Sequence, residues 1–253
     1  ALDDGSLSGN NNTAIGKDTL TANTSGGENT ALGTNAFQAN TTASNGVAIG
    51  TNALKANTTG AANTACGSLA LDANTTGDNN SAFGVNALST NTTADNNSAF
   101  GYQALYSNNT GADNVAVGVN SLFANTASNN TALGKAALTA NTTGTPHVAI
   151  GGNALAANTT GNGSVAVGYN ALDAATTADN NTAVGNYALT SLTTAGSITA
   201  VGYNAGNNLT TAPSVVAIGA YAGDAITTGG YHTAVGAGAL TAATTGTSNT
   251  AIG

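Results

Sequence analysis

The residue types able to do acid–base, nucleophilic or metal chemistry are few in this chain of 253 residues: two histidines, one cysteine, three lysines and eleven acids. Catalysis needs unlike groups gathered at one place. Here like groups recur at even spacing, and no Ser/His/Asp set, P-loop, zinc motif or EF-hand loop is present. The expectation is a chain that is not an enzyme and uses no cofactor. His147 and His232 hold the same register position five periods apart. At one strand spacing per period they stand roughly 24 Å apart, too far to share a metal within one chain. Three copies of either could meet on the axis of a parallel trimer, which makes them weak metal candidates; hydrogen-bonded surface histidines are the expectation. Asp78, Asp95, Asp113 and Asp179 stand beside Asn in polar segments. The Asp-rich nonapeptide of calcium-binding β-rolls is absent, so solvated turn residues are expected in place of calcium ligands. Cys66 fills a column otherwise held by Ile, Leu, Val and Phe and is expected to be a small core residue. Tyr102, Tyr169 and Tyr203 are candidate surface-binding residues: an exposed phenol can stack on a sugar, or serve only as edge packing.

What must position these groups is a repeat. A glycine closes motifs such as Asn-Thr-Ala-Ile-Gly at Gly16, Gly33, Gly50 and so on to Gly253, and thirteen of the fourteen intervals are 17 residues. The exception, Gly118 to Gly134, loses one residue near Ala127 and Ser128. Every anchor has Ala two residues before it, with an apolar residue immediately before and Thr, Val or Ser three before. Ala48 and Gly50, Ala116 and Gly118, Ala166 and Gly168 illustrate the two invariant columns. The spacing predicts a short strand with Thr/Val and Ile/Val packed inward and Ala on the opposite face, against the far wall of a flattened coil or a neighbouring subunit.

Leu stands four after the anchor in eleven of fourteen coils, replaced by Phe37, Gly206 and Gly223. The Asn-Ala-Leu segment reads as a second short strand or a tight turn, because 17 residues leave no room for a strand plus a proper helix. Seven after the anchor, Asn runs unbroken from Asn23 to Asn158, with Asn57 and Asn141 among them. It then gives way to Ala175, Leu192, Leu209, Ile226 and Ala243. The Asn stretch predicts side-chain amides bonded along the stack. Asn40, Asn57 and Asn141 also lie in glycosylation sequons, which matter only if these side chains are not buried in that ladder. Thr recurs eight after the anchor, followed by turn residues. Together these features predict an all-β, parallel β-solenoid (β-roll) of about fifteen coils over 12–253, with 1–11 as a lead-in and a length on the order of 70 Å.

A net charge of −8, with cations only at Lys17, Lys55 and Lys135, disfavours nucleic acid. No run of apolar residues is long enough to insert in a membrane as a helix, and no signal-peptide pattern is seen at the start.

The strand motif in Val47-Ala48-Ile49-Gly50 and Val165-Ala166-Val167-Gly168, followed by Asn-Ala-Leu, resembles the head repeats of trimeric autotransporter adhesins and similar runs in bacteriophage tail fibres. The resemblance covers the chain after Asn11, with a longer period than those heads typically have. It implies a parallel β-roll, homotrimeric assembly and binding to host or matrix surfaces. The expected function is the shaft or head segment of an extracellular, cell-surface or virion fibre, with self and a cell-surface glycan or protein receptor as partners. A head-to-tail filament is the alternative, since the sequence stops on an anchor glycine. Ice binding ranks low, because adjacent Thr residues on a strand point to opposite faces.

Overall fold

The protein, known here from a computed structural model, is described over residues 9–253; most of the lead-in expected at 1–11 lies outside that range. Each triplet before an anchor glycine is a β-strand, and the chain forms two compact units that divide within the shortened coil, between Asn129 and Asn130. The first unit holds β1 (Thr13–Ile15), β2 (Thr30–Leu32), β3 (Val47–Ile49), β4 (Thr64–Cys66), β5 (Ser81–Phe83), β6 (Ser98–Phe100) and β7 (Val115–Val117). The second holds β8 (Thr131–Leu133), β9 (Val148–Ile150), β10 (Val165–Val167), β11 (Thr182–Val184), β12 (Thr199–Val201), β13 (Val216–Ile218), β14 (Thr233–Val235) and β15 (Thr250–Ile252). Within each unit successive strands pair in parallel and in register, setting Ala48 beside Ala65 and Ala166 beside Ala183. The protein is an all-β parallel solenoid of 17-residue coils.

Three-residue strands hold because hydrogen bonding to neighbouring coils continues around the whole circuit. After Gly50, the amides of Leu54, Ala56 and Thr58 donate to carbonyls of the following coil at 3.0 Å, while Asn52 donates back to Thr34 at 2.9 Å. Donating in both directions requires the backbone to alternate in handedness. Accordingly Asn52 and Leu54 both have positive φ, 59° and 49°. Asn-Ala-Leu is thus a tight turn and not a second strand. Placing Leu in the left-handed region costs roughly 1–2 kcal/mol, which its complete burial and its inter-coil bond offset. Gly50 itself has φ +133°, and a Cβ there would lie 2.5 Å from the carbonyl oxygen of Gly67. No other residue fits both demands.

The faces of the strand are the reverse of those expected. Ala48, Ala116 and Ala166 are fully buried, whereas Ile49, Phe83, Phe100 and Leu133, immediately before their anchors, are exposed. Val117 and Val167 are half-buried on that same outer side. The interior is too narrow for two rows of large side chains. Leu from the turn occupies it, leaving only a methyl's room on the strand side. Ala217 shows the arrangement: a Cβ built on Gly223, in the Leu column, would lie 3.5 Å from the Ala217 methyl across the coil. Departures from Leu are compensated in volume. Phe37 fills its coil so closely that a Cβ on Gly46 would collide with the ring, and Leu209 and Ile226 reach into the space left beside Gly206 and Gly223.

Candidate functional site: polar ladders inside, an apolar stripe and a tyrosine ridge outside

Two columns of buried side-chain amides line the interior. At the position seven after the anchor, Asn74 donates to the Oδ1 of Asn57 at 2.6 Å and to the Gly77 carbonyl at 3.0 Å, and receives Asn91 at 2.8 Å. Asn158 likewise donates to Asn141 at 2.8 Å. A second amide column, four before the anchor, was not foreseen from sequence. There Asn63 accepts the backbone N–H of Asn80 at 2.8 Å and donates to the Gly77 carbonyl at 2.7 Å. Two amides from different columns therefore converge on one carbonyl wherever a coil presents both. The missed signal was the frequency of Asn at this second position, next to the more conspicuous unbroken column. Asn40, Asn57 and Asn141 are fully buried, so their sequons present no accessible amide.

His147 and His232 occupy this second column and reproduce its bonds. They are buried, 2% and 1% exposed, and not the surface residues expected. The Nδ1 of His147 accepts the Ser164 N–H at 3.2 Å, so the proton is on Nε2, which lies 2.6 Å from the Gly161 carbonyl. His232 does the same with Asn249 and Gly246, at 3.2 and 2.7 Å. Burial lowers the pKa of His147 below its ordinary 6.5, against the raising influence of its backbone bonds and of Asp179. Both ring nitrogens are committed to the backbone, and no group of three metal-ligating side chains occurs among the described residues.

The turn acids also have structural partners. Asp78 accepts the backbone N–H of Ala61 and Asp95 that of Asp78, both at 2.7 Å; Asp179 accepts that of Asn162 at 2.6 Å. Asp113 accepts the side chain of Asn96 at 3.1 Å. Thr hydroxyls eight after the anchor donate to the carbonyl of the equivalent residue in the next coil, as from Thr58 to Thr75 at 3.0 Å. They are tied into the stack.

Outside, the residues preceding the anchors form a stripe of apolar side chains along each unit. Ile49, Phe83 and Phe100 expose 36–40% of their surface, with Val85 and Val119 beside them. Phe83 and Phe100 stack, centroids 4.9 Å apart. Cys66 belongs to this outer row, half-exposed and free, which corrects its expected place in the core. Tyr102, Tyr169 and Tyr203 are also outside, 45–48% exposed. Tyr102 stacks on no other ring among the described residues, but in the second unit Tyr169, Tyr187, Tyr203 and Tyr221 interlock edge to face, with centroids 5.6, 6.2 and 5.4 Å apart.

The geometry defines the class, a parallel β-solenoid of repeated coils. No protein-family model matches the chain. The curated proteins likewise give no match.

Proposed function

We propose that this chain is a structural and adhesive segment, shaft or head, of an extracellular or virion fibre, and that copies of it associate laterally, as a homotrimer, through the apolar stripe. The observation that carries the reading is the outer row itself. Monomeric proteins rarely leave contiguous apolar surface of this extent in water, and such patches mark association sites. A closed arrangement of identical copies covers a straight stripe on every subunit at once. The interior supports a mechanical role: glycine anchors, methyl-sized strand positions and inter-coil backbone bonds repeat from one coil to the next, so stability grows coil by coil. The resemblance to adhesin heads and tail fibres points the same way. Sedimentation equilibrium tests the proposal. A mass of three chains that falls to one when Phe83 and Phe100 are both changed to Ser, with the β-sheet circular dichroism retained, is the expected result; a monomeric parent at tens of micromolar contradicts it.

A further inference from the structure

The two positions following each anchor form a corner beside the apolar stripe, and in the second unit their composition is unusual. Taken coil by coil they read Tyr169-Asn170, Asn186-Tyr187, Tyr203-Asn204 and Ala220-Tyr221. Tyrosine and asparagine therefore alternate both along the chain and from coil to coil. The four rings brace one another edge to face, which fixes their orientation before any ligand arrives and lowers the entropy lost on binding. Tyr169, Tyr203 and Tyr221 are 45–47% exposed. Among the described residues, none of the four hydroxyls has a hydrogen-bond partner.

The asparagines are held by their oxygens. Oδ1 of Asn186 accepts the Tyr169 N–H at 2.9 Å, Oδ1 of Asn170 accepts the Asn153 side chain at 3.1 Å, and Oδ1 of Asn204 accepts Asn207 at 3.4 Å. Each Nδ2 is left as a donor toward solvent. The first unit has only Tyr102 as an aromatic at the corresponding positions, among Leu69, Val85, Val119 and polar residues, so the ridge is particular to the second.

We propose that this ridge binds an extended, uncharged polysaccharide. Fixed aromatic surface meets the apolar C–H faces of successive sugar rings, while phenol hydroxyls and amide donors meet their hydroxyl groups. The one-strand step between coils repeats the pattern along a linear glycan. Charge argues for a neutral chain: the only charged residues from 130 onward are Lys135, Asp173, Asp179 and Asp224, and none belongs to the four coil pairs of the ridge. This deepens the adhesive part of the reading above and rests on it, naming the ligand class and the place.

The test uses the intact chain with β-1,4-linked glucose and N-acetylglucosamine hexasaccharides as neutral probes and a heparin hexasaccharide as the anionic one. The protein has no tryptophan and four of its seven tyrosines lie in the ridge, so binding is followed by the change in tyrosine fluorescence and assigned to the ridge by the variants. Saturable binding of a neutral probe, weakened at least tenfold by Tyr203→Ala and by Tyr169→Ala and unchanged by Tyr102→Ala, is the expected result. Tyr187→Phe, which retains the ring, should fold as the parent does and weaken binding severalfold through its lost hydroxyl. Three results overturn the inference: no saturable neutral binding, preference for heparin, or Tyr203→Ala binding as well as the parent. Sedimentation of the same samples keeps the two proposals apart. A monomeric parent that still binds the glycan defeats only lateral assembly, a trimer that binds none defeats only the ridge, and a trimer dissociated by Tyr203→Ala assigns the ridge to self-contact and overturns it.

Discussion

The coils of the first unit and those around Leu192 to Ile226 in the second enclose the same space with opposite chemistry. In the first, buried amides occupy two columns: those four before the anchor bond mainly to the backbone, and those seven after it bond to the backbone and in part to one another, the Oδ1 atoms of Asn40 and Asn91 being buried without a partner. In the second, Leu192, Leu209 and Ile226 replace one column and Ile198 and Val215 part of the other, all 0–1% exposed. The backbone does not register the change: Thr176 to Thr193 and Thr210 to Thr227 keep the inter-coil bonds seen between Thr58 and Thr75. A buried polar ladder and an apolar filling are therefore alternative solutions for one coil. An amide is tolerable where its oxygen and its nitrogen both find partners, as those of Asn181 do on the Ile198 N–H and the Ala195 carbonyl, and costly otherwise.

The largest effects should come from exchanging the two chemistries. Leu209→Asn places an amide between Leu192 and Ile226, with no ladder to join, and should cost roughly 3–5 kcal/mol from lost apolar filling and an unpaired polar group. Asn74→Leu should cost about 2–4 kcal/mol, because Asn57 and Asn91 lose a partner and Gly77 one of its two donors. Urea unfolding of both variants checks the comparison. Either one matching the parent would mean that the columns are interchangeable site by site.

His147 should make one polar column sensitive to acid. Its folded pKa lies below its unfolded value of 6.5, so the unfolded chain takes up the proton first. The stability it supports is fully present above pH 6.5 and falls as pH drops through the folded pKa. Protonation turns Nδ1 from an acceptor into a donor facing the Ser164 N–H. Melting temperature should therefore fall between pH 7.5 and 5 by more in the parent than in His147→Asn, which restores the amide common in that column. Equal falls would place the acid sensitivity elsewhere. The smallest effect belongs at the point where the ladder stops. Asn158 Oδ1 is buried without a partner, and the next residue of its column is Ala175. Ala175→Asn extends the ladder by one step and should raise stability by on the order of 1 kcal/mol; a lower melting temperature would show that the coil has no room for the amide.

Much of this architecture was legible because the period is nearly perfect: the glycine anchors gave the strands, and unbroken Asn gave one ladder. Which face of the strand points inward was not legible by the same means. Alternation separates Ala116 from Val117 without saying which is inside, and the general preference for burying Val over Ala suggested the wrong one. The decisive clue was tolerance of volume. The position before the anchor accepts Cys66, Val117 and Phe83 with no compensating change, as an outward site can, whereas the replacement of Leu by Phe37 is matched by Gly46. The histidines were misplaced for a related reason. Imidazole imitates a side-chain amide only once the second Asn column is recognised.

The central claim, that the residues before the anchors form an outer stripe covered by other copies of the chain, is tested most directly at the lone thiol. Cys66 and Val117 lie in this row of the same unit, three coils apart. Alkylation of native Cys66 should be slow in the assembled parent and fast in Val117→Asp, whose carboxylate opens the stripe while its β-sheet circular dichroism persists. Equal alkylation rates in the two proteins would contradict the account.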